Sequence, residues 1–102
     1  MNPNLVVEMV GGEQYEFESL GHYIVRAVGV CGGRPTVKYT RIEMSHLLDR
    51  RAHGDSVTEI VGDYRGSVSR EAIAEAIDIA NRFFAASLPP LKPETAAMGR
   101  SA

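Results

Sequence analysis

The sequence predicts an α+β fold: a small antiparallel sheet at the N-terminus, then three helices. Three observations predict it. β-branched and alternating runs fill residues 5–27, a stretch punctuated by glycine and proline occupies 29–42, and helical periodicity with capping signals runs from Met44 to Ser87.

The elements follow in order. "LVVEMV" (5–10) is a short β-branched apolar run, and Gly11-Gly12 is the dipeptide that a two-residue hairpin turn prefers. "EQYEFES" then alternates, with Tyr15 and Phe17 on one face and Glu16 and Glu18 on the other. "HYIVRAV" reads as a third strand. Beyond Gly32-Gly33 and Pro35, "TVKYT" reads as a short strand with Val37 pointing inward. The first helix spans Met44 to His53, with Met44, Leu47, Leu48 and Arg51 or Ala52 at helical spacing and Gly54 as its stop. "SVTE" (56–59) is a capping box that opens a short helix, 57–64, with Val57, Ile60 and Val61 inward and Gly66 beyond its end. Ser69 caps a long helix over 70–87, Glu71 complements its dipole, and Pro89-Pro90 stops it. Residues 1–88 are expected to form one domain, comprising a β segment (1–28) and a helical unit (29–88). Residues 89–102 form a proline-bearing tail without periodicity.

A chain of 102 residues suffices for one modest core. No apolar run is long enough to span a bilayer, no secretory leader is recognisable, and the single cysteine, Cys31, precludes an internal disulfide, so a cytoplasmic protein is expected. The net charge of -2 hides a segregation. Residues 1–20 carry -4 and residues 21–53 carry +4. Such a basic middle can serve a polyanion, or it can face the acidic segment within one chain or across a dimer.

Three helices with short turns, the second short and the third long, outline a helix-turn-helix-like (homeodomain-like) unit. The order of motifs is more specific. Gly33-Arg34-Pro35, Thr40-Arg41-Ile42, Gly54 before the capping serine, Glu59-Ile60, Tyr64 and the helix from Glu71 to Ala80 resemble the domain of unknown function 433 family. The resemblance implies an antitoxin-like, helix-turn-helix-like module of a prokaryotic toxin-antitoxin system, often encoded beside a PIN-like nuclease that would be its toxin partner. It implies no catalytic or cofactor-binding positions. The chain departs from the family's common pattern in carrying Tyr39, where many members have glycine, and in its N-terminal β segment.

"CGGRPTVKYT" lacks the spacing of a phosphate-binding glycine loop. Its turn is better suited to presenting Arg34, Lys38 and Arg41 rigidly. With Ser67, Ser69 and Arg70 at the edge of the long helix, these are the candidate DNA contacts. The expected outer face of that helix, Glu71, Glu75 and Asp78 against Arg82, opposes DNA lying along it. Two apolar stripes mark the same helix. Ile73, Ile77, Ala80 and Phe84 are assigned to the core, and Ala72, Ala76, Ile79 and Phe83 to a homodimer or partner interface. Cys31 has no histidine near it in sequence, and His46 and His53 lack a third ligand, so neither an enzyme nor a metal or cofactor site is expected. The expectation is therefore a non-catalytic antitoxin-like or regulatory protein, a dimeric DNA-binding module that neutralises a nuclease toxin. The alternative is a protein-interaction adaptor without DNA binding.

Overall fold

A computed structural model describes residues 4–91. Strands β1 (Leu5–Val10), β2 (Glu13–Ser19), β3 (Ile24–Ala27) and β4 (Pro35–Val37) form one antiparallel meander in that order. The turn between β1 and β2 takes positive φ at both Gly11 (+59°) and Gly12 (+84°), a conformation that costs glycine little. The register sets Val6 opposite Phe17 and Glu8 opposite Tyr15. β3 pairs only with Phe17–Ser19, so the distal half of the β1–β2 hairpin stands beyond the rest of the sheet.

Helices α1 (Met44–Ala52), α2 (Val57–Asp63) and α3 (Arg70–Ser87) follow, each within a residue or two of its expected bounds. Their ends are locally encoded. The capping box forms between Ser56 and Glu59, and the Ser69 hydroxyl accepts the Ala72 amide at 3.0 Å. Arg50 ties the first two helices together, donating to Asp55 and Asp63 at 2.7 Å each.

The main core gathers Ile24 and Val37 from the sheet, Leu47 from α1, Ile60 from α2, and Ile73, Ala76 and Ile79 from α3. A smaller cluster of Phe17, Val25 and Ala27, backed by Tyr15 and Val30, lies on the opposite sheet face. The Lys38 ammonium lies 4.7 Å from the Phe17 ring centroid.

Three expectations need correction. The stripe assigned to an interface is core: Ala72, Ala76 and Ile79 are at most 1% exposed. The helix sits between the sheet on one side and α1 and α2 on the other, so its own chain consumes two stripes. Phe84, assigned to the core, is 66% exposed, because α3 continues past the layer it covers and every described residue from Asn81 on is exposed. Glu75, placed on the outer face, instead turns toward β3. Its carboxylate accepts the amides of His22, Tyr23 and Ile24 at 2.7–2.8 Å. The expected tail falls, for residues 92–102, outside the described residues.

Candidate functional site

The six candidate DNA contacts do not form one patch. β4 separates them, with Arg34 before it and Lys38 after it. Three of them, Lys38, Ser67 and Ser69, line a cleft of about 490 Å³ at the start of α3 together with His22, Tyr23 and Tyr39, but the Lys38 ammonium itself is drawn over the Phe17 and Tyr39 rings. Arg70 lies beside the cleft and donates to the Thr58 hydroxyl at 2.6 Å. Arg41 is exposed in the loop before α1 and makes no ion pair among the described residues. Arg34 is engaged elsewhere. It holds Glu43 through two bonds, Nε at 2.8 Å and Nη2 at 3.2 Å, and so braces the 31–33 turn against the start of α1. Those hydrogen bonds hold the Glu43 carboxyl below its usual range. One cation escaped sequence reasoning. Arg65 is exposed on the turn between α2 and α3 with φ +51°, and no spacing rule marks it.

Tyr39 occupies a position whose backbone conformation favours glycine. Its φ is +67°, in the left-handed region that bulky residues avoid at a cost of roughly 1–2 kcal/mol. Four contacts hold it there. Its amide donates to the Tyr15 hydroxyl at 3.0 Å, its hydroxyl donates to Glu8 at 2.8 Å, its ring lies 5.4 Å from that of Tyr15, and the Lys38 ammonium sits 5.0 Å from its centroid. The N-terminal hairpin thus braces the loop that positions Lys38.

A second surface lies along the other end of α3. A groove of about 730 Å³ runs between Ile79, Ala80 and Phe83 on one side and Met44, Pro35 and Arg34 on the other. Phe83 (63% exposed) lines it, and further along the chain Phe84, Leu88 (55%) and Leu91 (75%) are apolar side chains left exposed among the described residues. Of the four interface candidates, Phe83 is exposed on this surface and Ile79 lines the groove while buried; Ala72 and Ala76 do not line it.

Chemistry finds little to work with. No group of three or more His, Cys, Asp or Glu side chains stands within metal-ligating reach among the described residues. The Cys31 thiol donates to the Arg41 carbonyl at 3.3 Å. No helix among the described residues is long and apolar enough to cross a membrane.

A four-stranded sheet backed by three helices, with a polar cleft at one end of the longest and an apolar groove at the other, defines a small α+β module with two separate surfaces. The chain belongs to the family described as Protein of unknown function (DUF433), whose model matches residues 24–80. No curated protein and no solved structure matches the chain. The matched segment runs from β3 into α3. It contains most of the polar cleft and excludes β1 and the exposed end of α3.

Proposed function

We propose that this chain is a non-catalytic, antitoxin-like regulatory protein that works by binding another protein through the far end of α3. The observation that carries this reading is the adjacent pair Phe83 and Phe84, both nearly two-thirds exposed, the first of them lining an apolar groove. Exposed apolar patches of this kind mark interaction sites, and a helix offering neighbouring aromatic anchors suits a partner's hydrophobic pocket. The family resemblance suggests the partner class, a PIN-like nuclease. The test is the purified nuclease encoded nearest the gene, titrated with wild type and with a Phe83→Ser/Phe84→Ser double variant. The double variant should lose at least about tenfold in affinity and fail to inhibit the nuclease. Raising salt from about 50 to 200 mM should leave wild-type affinity nearly unchanged. Equal affinity for both forms overturns the reading.

DNA binding is a second reading, supported by Lys38, Ser67 and Ser69 lining one cleft beside exposed Arg70. Glu71 and Asp78 on the exposed face of α3 restrict any such contact to the helix tip. Fluorescence anisotropy with DNA from upstream of the gene tests it. A Lys38/Arg41/Arg70→Ala variant should flatten the salt dependence, and two equally inert proteins at low salt rule the reading out.

A further inference from the structure

The two edges of the sheet differ. The outer edge of β4 is occupied, since the Val37 amide donates to the Ile42 carbonyl at 2.9 Å and Thr36 bridges Glu43. The outer edge of β1 carries no strand among the described residues. An open edge is a row of unpaired backbone donors and acceptors, and edge strands are commonly guarded by lysine, proline or a bulge. β1, "LVVEMV", has neither lysine nor proline and pairs with β2 without a bulge. Its apolar side chains are exposed on both faces: Val6 44%, Val7 54%, Met9 67% and Val10 42%.

We propose that β1 pairs antiparallel with β1 of a second copy about a two-fold axis through Val7, joining two sheets into one. Charge and face patterns select both the occupant and the register. A two-fold normal to the sheet keeps each face on its own side, so directly opposed residues must share a face. An axis through Glu8 sets two carboxylates opposite each other, which destabilises a strand pair. An axis through Val6 leaves Met9 and Val10 without opposite numbers in the copy's strand, and an axis beyond Glu8 runs into the turn at Gly11. The axis through Val7 sets Val7 against its own copy and Leu5 against Met9, an unbroken apolar row on the face that the helices share. It sets Val6 against Glu8 on the other face, where each Glu8 already accepts the Tyr39 hydroxyl of its own chain. The helices leave this row open, because α1 and α3 pack on β4 and β3. The homodimer contact expected on the second stripe of α3 is thereby relocated to the hairpin.

Sedimentation velocity on the full chain tests the proposal. Wild type should be dimeric at about 100 μM and dissociate on dilution. Val7→Lys places two ammonium groups on the axis and should be monomeric with an unchanged circular dichroism spectrum, since Val7 is more than half exposed. In a Cys31→Ser background, Val7→Cys should form a disulfide-linked dimer on mild oxidation, because opposed residues of an antiparallel pair lie at disulfide distance. Glu8→Cys in the same background should not. A monomeric wild type, a dimeric Val7→Lys, or cross-linking through Glu8→Cys in place of Val7→Cys each overturns the proposal.

Discussion

Glu75 joins α3 to the start of β3 by accepting three consecutive backbone amides, those of His22, Tyr23 and Ile24. Gly21 belongs to the same device. A Cβ there would stand 2.5 Å from the Glu75 carboxyl carbon, and that carboxylate is not free to swing away without surrendering its bonds. Glu75→Ala strips the acceptor from part-buried donors and should cost about 2–3 kcal/mol in urea unfolding. Gly21→Ala should cost a comparable amount in the wild type and far less in the Glu75→Ala background, so the double-mutant cycle shows strong coupling. Near-additivity would refute the clash. At Glu43 the consequence is one of pH. Its carboxyl is held below its ordinary value by the hydrogen bonds from Arg34, so the pair contributes stability that is fully present above the unfolded-state value of about 4.5 and is lost as pH falls through the lower folded value. Glu43→Gln should therefore lower stability at neutral pH and flatten its dependence on pH below about 4.5, as read by thermal unfolding across an acid series. An unchanged acid limb would assign that dependence to other carboxylates.

The elements were largely legible in the sequence because their signals are local. Ser56, Glu59 and Ser69 cap helices within three residues of themselves, and Gly11-Gly12 closes a hairpin between adjacent strands. What each face of α3 touches was not legible. Both stripes of that helix are apolar, and only the placement of β3, β4, α1 and α2 around it decides that Ala72, Ala76 and Ile79 are enclosed while Phe83 and Phe84 are not. Glu75 misled for the same reason, since its partners lie more than 50 residues away. Of the candidate contacts, sequence proximity grouped Arg34 with Lys38, yet the strand between them sends one to each end of α3. The corrected burial has a direct test. Ile79→Ala should destabilise the fold by about 2–4 kcal/mol, as a truncated core residue does. Phe83→Ala, on the exposed part of the same helix, should change stability by less than about 0.5 kcal/mol. Comparable losses at the two positions would mean that the end of α3 is covered in the isolated protein.

The charge segregation has a different meaning in the folded molecule than along the chain. Three of the six cations in residues 21–53 are held by carboxylates: Arg26 by Glu18, Arg34 by Glu43, and Arg50 by Asp55 and Asp63. Lys38 rests on aromatic rings, and Arg51 donates to the Asp55 carbonyl at 2.6 Å. One of these pairs, Arg26–Glu18, draws the acidic hairpin to the basic segment, so part of the segregation is neutralised internally. Among the described residues, the cations held by neither a carboxylate nor a backbone carbonyl are Lys38 and Arg70 near the cleft, Arg41 in the loop before α1, and Arg65 on the turn before α3. Each cation that neutralises a phosphate on duplex DNA adds about -0.9 to the slope of log K against log salt. Four contacts therefore cap the slope at about -3.6 per chain, and the acidic face of α3 lowers it further. Anisotropy titrations should return a slope no steeper than about -4 per chain, with Arg34→Ala leaving it unchanged. A steeper slope, or one that Arg34→Ala reduces by about one, would mean that the Arg34–Glu43 pair opens on DNA and that the basic segment acts as a single surface.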